Sequence, residues 1–425
     1  MPLKKNVTAV VVTPPLLLPA SYQNVVSNAP LASSLLSGYT VSRLKRRGKN
    51  VHYFDAALER DLSSFEKNLT ELPMDEIYVN LVYAWENTEK ILEALGRVRS
   101  ATGAKLFLFG YFPTFHEKEL RRYSFIDGII PGDPLHEAKG DKAPFPSLNA
   151  TDCAPLLGSR GCWGRCTFCY AGRFFKGYQG RLPEDIVDEI EQRLREGFQR
   201  IYFVDACFFP PGRRAAVYAE ELAGEIRRRR LDFRFGLECR PDSISEETLE
   251  PLKEVGLSEI FLGVESGCQS ILDRFQKGTT VEQNERAIRL IRERGIKLST
   301  GFIMFDPEVR LPELRENFYF LERNGLLDCA TNAAQLLSHK VFLYAGTPLY
   351  KKFAGQPVPR APRPYFIDYP FQDKNIQRIY GEVESESAKI YERFRGQDID
   401  NPEMAGSWEA AREFSAFFQN LLEER

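Results

Sequence analysis

From Val7 onward, short apolar runs alternate with amphipathic stretches, and they do so in two sets separated by an irregular segment from Pro134 to Asp152. This alternation marks strands paired in a parallel sheet, with helices crossing over from each strand to the next. The first set reads as strands at Val7–Thr13, Val51–Asp55, Glu76–Val82, Lys105–Gly110 and Ile126–Ile130, with helices at Leu31–Arg47 and Thr88–Ala101. In a doubly wound sheet, ligands lie beyond the carboxyl ends of the strands. The loops at Pro14-Pro15, Val82 to Thr88, Gly110 to Thr114 and Pro131 to Asp133 are therefore expected to share one rim.

In the second set, strands are expected at Arg200–Asp205, Phe233–Glu238, Glu259–Val264, Ile296–Phe305 and Leu336–Tyr344, with helices at Ala215–Arg230, Glu246–Val255 and Thr280–Arg294. With the strand leading into the segment around Cys162, this makes six β/α units, a partial barrel rather than the eight of a closed one. After a Pro-rich stretch, Pro357 to Pro364, two charged helices are expected near Ile376–Phe394 and Trp408–Leu422. Trp408, Phe414, Phe417 and Phe418 are expected to pack on the barrel and close one side of it.

The chain of 425 residues exceeds what one hydrophobic core usually serves. Its net charge of −2 provides no field for a phosphate backbone, and Arg227 to Arg230 reads as the cationic end of a helix, so no nucleic-acid partner is expected. Lys4 and Lys5 followed by Val10 to Val12 and Leu16 to Leu18 imitate a secretory signal, but Pro14 and Pro15 interrupt the run. No stretch approaches the ~20 apolar residues of a membrane helix. The chain reads as soluble and cytoplasmic, with no membrane partner.

The chemistry is concentrated in Gly161-Cys162-Trp-Gly-Arg-Cys166-Thr-Phe-Cys169-Tyr, where three thiols stand in a Cys-x3-Cys-x2-Cys spacing. An iron–sulfur cubane normally takes four cysteines, so a tight trio with no fourth nearby suggests a [4Fe-4S] cluster with one iron left open. S-adenosylmethionine is suited to chelate that iron. A structural zinc site wants a matching Cys or His pair, which is absent, and a chain of this size needs no disulfide staples. Cys153, Cys207, Cys239, Cys268 and Cys329 read as small core residues, although Cys207 and Cys239 follow strands near the expected mouth.

The trio, with Leu182-Pro183-Glu184 opening a helix and Ile201-Tyr-Phe-Val-Asp205, resembles radical S-adenosylmethionine (radical SAM) enzymes that carry an N-terminal cobalamin-binding domain. Gly263-Val-Glu265-Ser266-Gly267, Gln276-Lys-Gly278-Thr-Thr280, Gly295-Ile-Lys and Gly301-Phe-Ile-Met-Phe-Asp-Pro307 follow that group's order. Phe109-Gly-Tyr-Phe-Pro-Thr114 stands where it usually has a Gly-Gly-x-x-Pro-Thr turn. The resemblance covers roughly residues 7 to 350. It implies a Rossmann-like cobalamin-binding-type domain at 1–135, a linker at 136–152, a partial (β/α)6 radical SAM barrel at 153–345 and a helical extension at 346–425. Cys162, Cys166 and Cys169 would ligate the cluster. Phe168, Asp205, Arg240, Gly263, Glu265 and Ser266 would meet S-adenosylmethionine, Arg240 through the carboxylate and Asp205 through the ammonium. Cobalamin would sit against Pro14, Pro15, Leu81, Gly110, Tyr111, Pro113 and Thr114.

The sequence departs from the group at the corinoid rim. The Asp-x-His-x-x-Gly signature is absent and none of the four histidines stands in such a context, which argues against histidine-ligated cobalt. Tyr111 replaces a turn glycine, and Leu81 stands where a small hydroxyl residue is common. The resemblance implies a cobalamin-dependent methyltransferase acting on an unactivated carbon of a small-molecule or peptide substrate, supplied with electrons by a flavodoxin or ferredoxin. The alternatives are a non-methylating enzyme of the same architecture, with or without corinoid, and a non-catalytic cluster protein.

Overall fold

The computed structural model describes residues 7–15, 34–56, 61–81, 88–132, 153–355, 366–367, 369–394 and 405–423. The expected linker at 136–152, the Pro-rich stretch and all of the loop from Val82 except Thr88 lie outside these residues. No described helix is long and apolar enough to cross a membrane.

The N-terminal sheet holds five parallel strands: β1 (Thr8–Thr13), β2 (Asn50–Asp55), β3 (Glu76–Asn80), β4 (Lys105–Phe109) and β5 (Gly128–Ile130). Their spatial order is β2-β1-β3-β4-β5. The winding reverses between β1 and β3, and this switch point is where a doubly wound sheet opens a crevice for ligands. The apolar strand β1 is buried on both faces: Ala9 and Val11 pack towards Val41 and Leu44, while Val10 and Val12 pack towards Phe65, Leu92 and Leu95. Burial on both faces is why it reads as an unbroken apolar run rather than an alternating one.

The second sheet is also parallel, in the sequential order β10-β9-β8-β7-β6. Its strands are β6 (Ala154–Leu156), β7 (Arg200–Phe203), β8 (Arg234–Cys239), β9 (Leu257–Glu265) and β10 (Lys297–Phe302). Phe235, Leu237 and Cys239 of β8 face the helices and are buried, while Gly236 and Glu238 face the concave side. A short antiparallel pairing of Ser159-Arg160 with Gln179-Gly180 pinches off the loop that carries the three cysteines.

The sixth strand expected at Leu336–Tyr344 is not formed as such. A helix spans Ala330–Ser338, because Ala330, Ala333, Ala334 and Leu337 recur at helical spacing and are all buried. A single parallel bridge, Phe305 to Lys340, stands where the strand was expected to join the sheet, and Leu343–Tyr344 pairs antiparallel with Phe366–Ile367 outside it. The C-terminal helices Lys374–Arg393 and Ser407–Glu423 pack on this end of the sheet. Lys340 Nζ lies over the rings of Tyr369, Phe371 and Tyr380, 4.1, 5.1 and 5.1 Å from their centroids. Phe414 and Phe418 are buried as expected. Trp408 is not: it is 52% exposed and its ring lies under Arg412.

Phe418 is fully buried and stacks on Phe318 with centroids 5.5 Å apart. Phe418→Ala is expected to cost about 3–5 kcal/mol, read as a lowered midpoint of chemical unfolding with the slope unchanged.

Candidate active site

The loop from Gly161 to Tyr178 is held at its base by a buried carboxylate. Asp205, just after β7, accepts hydrogen bonds from the backbone N–H of Gly158 (3.0 Å) and of Ser159. Burial raises the Asp205 pKa to about 6, against the pull of these amides. Tyr218 and Ser159 tie the same base through their hydroxyls to the carbonyls of Gly158 (3.1 Å) and Cys207 (2.8 Å). Gly161 is irreplaceable here, since at its φ of 77° a Cβ would fall 1.9 Å from the Gly177 carbonyl oxygen. Further along, Thr167 donates its N–H to Phe275 and accepts one from Leu349, which stitches the loop to the far side of the barrel. Phe168 sets its ring edge-on to Phe275, centroids 5.1 Å apart.

No three His, Cys, Asp or Glu side chains among the described residues converge on a point that would hold a single metal ion. A cubane spreads its ligands over separate irons, and the three thiols remain close enough to influence one another's charge. Their surroundings differ. A hydrogen bond with Cys207, then the Gly164 amide and the Arg240 and Lys277 charges, lower the Cys162 pKa to about 6 against burial. Burial pushes Cys166 up, and Cys169 up to about 12. Metal binding must therefore displace protons from the latter two.

Arg240, expected to grip a carboxylate of the cofactor, has its fork committed elsewhere. Nε and Nη2 donate to the two oxygens of Asp242 (3.0 and 2.9 Å), and Nη2 also donates to the Lys277 carbonyl (2.6 Å). Nη1 lies 3.8 Å from Cys166 Sγ, and the guanidinium stacks on Trp163 at 4.3 Å. The charge therefore faces the thiols. Asp205 is likewise spent on the loop backbone and has no exposed surface. Ser266 is fully buried and donates to Asn317 Oδ1 (2.7 Å), so it braces the turn after β9.

Glu265 ends β9 in the left-handed region, at φ 65°, beside a break in register with β10 between Gly263 and Glu265. A bulge re-aims a side chain, and such strain in a residue with a Cβ is a mark of functional sites. Glu265 Oε1 pairs with Lys277 Nζ at 2.9 Å. Burial works against the Lys277 charge, yet Glu265 and the Cys166 thiol keep its pKa above the ordinary value. Gly263 leaves room for this pair, because a Cβ there would lie 2.9 Å from Glu265 Oε1 and 3.1 Å from Lys277 Nζ. The Thr280–Gln283 capping box starts the next helix and fixes the turn that delivers Lys277.

At the switch point of the N-terminal sheet, Thr13 Oγ1 meets Ser37 Oγ (2.8 Å) and Tyr53 (3.1 Å), and Asn80 Nδ2 donates to Ser34 (2.8 Å) and Ser37 (3.0 Å). Asn80 Oδ1 is buried without a partner. A polar crevice at this place, with an orphaned acceptor in it, fits a polar ligand. Pro14 is half-buried and Pro15 buried beside it. A Cβ on Gly110 would come within 2.6 Å of Asn80 Oδ1. Two expected contacts are used otherwise: Leu81 is packed in the core of the sheet, and the Thr114 hydroxyl donates to Gly110 O (2.6 Å) and accepts from Gly132 N (2.9 Å). Pro113 is buried in a short helical turn. Tyr111 crosses to the cysteine loop, its ring 4.1 Å from Phe174 and 4.5 Å from Tyr170.

Residues 156–318 match the family model described as the radical SAM superfamily. That segment, with the cysteine loop and four of the five strands of the second sheet wholly inside it, is similar to the radical SAM superfamily. The chain is 36% identical over 216 residues to a 4'-phospho-dehydrooxetanocin synthase from Priestia megaterium, a match covering 44% of this chain and 29% of that protein. The match thus spans under a third of that relative's length. The structure of OxsB, a cobalamin-dependent S-adenosylmethionine radical enzyme, superposes with a TM-score of 0.68 at 18% identity, covering 98% of this chain and 79% of that one. TsrM from Kitasatospora setae, a radical S-adenosylmethionine methyltransferase, gives a TM-score of 0.61 at 17% identity over 84% of this chain and 76% of that one. These two likenesses establish the α/β fold of both sheets.

Three residues of the candidate site carry weaker signals in the sequence. Lys277 lay inside a quoted motif, and its neighbour Gly278, at φ 72°, was the sign of a turn there. Asp242 stood two residues after Arg240. Glu238 alternates with buried Leu237 and Cys239 and so had to face the concave side. Burial, with the Asp205 charge adding to it, raises the Glu238 pKa to about 8.

Two outcomes follow. Cys166→Ala is expected to abolish the visible absorbance of the reconstituted cluster, while Cys207→Ala retains it. For Glu238 the folded pKa lies above the unfolded one, so between about pH 4.5 and about pH 8 the folded state binds more protons and stability falls as pH rises. Glu238→Gln should relieve this, so its melting temperature should gain on the wild type as pH rises across that window. Parallel pH curves for the two proteins would contradict it.

Proposed function

We propose that this protein is a cobalamin-dependent radical SAM enzyme that methylates an unactivated carbon of a small-molecule or peptide substrate. The observation that carries the reading is the meeting of two ligand rims: Tyr111, at the carboxyl end of β4, packs its ring at a tilt against Tyr170 and Phe174, which follow the third cysteine. In this reading Cys162, Cys166 and Cys169 hold the cluster, and Glu265, held by Lys277, meets S-adenosylmethionine beside the backbone of Phe168 and the open space at Gly263. Thr13, Pro14, Pro15, Asn80, Gly110 and Tyr111 line the corinoid crevice. Bound there, the cluster and S-adenosylmethionine supply a carbon-centred radical and the corinoid a transferable methyl group. The protein supplies orientation, a dry chamber and fixed charge. Arg240 offsets the negative charge of the thiolates, and the rings of Tyr170, Phe174 and Tyr344 exclude water. Glu238 carries a proton at neutral pH, and His339, kept neutral by burial, shares Nδ1 with the Phe302 carbonyl.

A second reading, a radical SAM enzyme that does not methylate, has specific support. Leu81 offers the crevice no polar group, Tyr111 takes the place of a turn glycine, and the relative at 36% identity is named as a synthase. Anaerobic reconstitution with hydroxocobalamin followed by desalting separates the two. The first reading predicts an equimolar corinoid spectrum together with 5'-deoxyadenosine release from S-adenosylmethionine. Release of 5'-deoxyadenosine with no retained corinoid would overturn it in favour of the second.

A further inference from the structure

We propose that the outer face of the cysteine loop is the docking surface for the electron donor, and that the donor is a flavodoxin whose acidic face meets Arg165, Arg173 and Lys176. The proposal rests on the reading of the three thiols as cluster ligands. Between Cys153 and Pro183 the chain carries Arg160, Arg165, Arg173, Lys176 and Arg181 and not one carboxylate, although its overall charge is −2. The five cations have different environments. Arg181 is paired with Glu189 at 2.7 Å, and Arg160 donates to Gln179 at 3.0 Å. Arg165, Arg173 and Lys176 are exposed, and none of them pairs with a carboxylate among the described residues.

Other arginines of the surface are neutralised. Arg97, Arg99 and Arg121 each meet an acidic side chain, as do Arg227, Arg228 and Arg229 of the arginine run. Exposed cations without a carboxylate partner also occur elsewhere among the described residues, Lys45, Arg213 and Arg286 among them, but Arg165, Arg173 and Lys176 share one carboxylate-free loop with the thiols. Arg165 lies between Cys162 and Cys166, and Arg173 Nη1 donates to the Cys169 carbonyl at 2.7 Å. Lys176 projects from a left-handed turn, at φ 57°, just before the loop closes. A protein seated on these three side chains lies against the loop that carries the thiols, and an electron crosses only a short gap at useful speed. In the step itself the reduced flavin loses one electron and the oxidised cluster gains one, and no proton is needed from this chain. Like charges on one loop steer an oppositely charged partner and set its orientation, an effect that salt screens.

The test uses the reconstituted protein with flavodoxin as probe. Affinity for oxidised flavodoxin is measured by titration, and bleaching of the cluster by fully reduced flavodoxin is followed by stopped flow. At low ionic strength the double variant Arg165→Glu/Lys176→Glu should lose about ten-fold or more in both affinity and rate. The wild-type rate should fall as salt is raised, and dithionite should reduce both proteins alike. Arg286→Glu, an exposed charge on a distant helix, should change neither. If the double variant does not keep its cluster, Arg173→Gln, which retains a donor for the Cys169 carbonyl, examines the same surface and should weaken both quantities. Unchanged affinity and rate, insensitivity to salt, or an equal loss in Arg286→Glu would overturn the proposal. A wild-type protein that assembles no cluster would instead overturn the ligand reading on which it stands.

Discussion

One buried guanidinium joins the parts of the site. Arg240 leaves the end of β8, is locked by Asp242, stacks on Trp163, caps the Lys277 carbonyl and turns its remaining edge to Cys166. A buried cation survives only where it is paired and hydrogen-bonded. Asp242 meets that requirement, which leaves the charge available to the thiols. The same contacts bind three separate pieces of chain: the end of a strand, the cysteine loop, and the turn that delivers Lys277 to Glu265. Removing the guanidinium would disturb all three together.

Around this centre the carboxylates divide by environment. Asp205 is spent on backbone amides and anchors the base of the loop, and Asp242 is spent on Arg240. Glu265 is held by Lys277 in a strained conformation at the end of its strand, and Glu238 lies deep on the concave face, protonated near neutrality. Two of them therefore build the site. The other two face the space in which a cofactor and a substrate would be held.

Much of this was legible in the sequence. The alternation of apolar runs with amphipathic stretches located nine strands of the two sheets to within a few residues and implied a tenth before the cysteine loop, because buried parallel strands must be apolar and their crossover helices amphipathic. The one clear miss, Leu336–Tyr344, was an apolar run short enough to suit either element, and its helical spacing emerges only once Ala330 and Ala333 are counted with it. The cysteine spacing identified the loop, since no packing requirement places three thiols so close together. What each polar residue does was much less legible. Arg240, Asp205 and Ser266 stand where a cofactor contact is plausible, but their partners Asp242, Gly158, Ser159 and Asn317 are determined by tertiary packing that periodicity does not encode. Leu81 was misplaced for the same reason, because the last residue of an apolar run can turn towards the core or the rim.

In the proposed reading three cysteines hold a cluster whose fourth iron is left to S-adenosylmethionine. Mössbauer spectroscopy of the reconstituted protein, recorded with and without S-adenosylmethionine, examines it most directly. The account predicts a four-iron cluster in which one iron, and only one, changes its signal when S-adenosylmethionine is added. A cluster whose four irons all ignore the addition would contradict it.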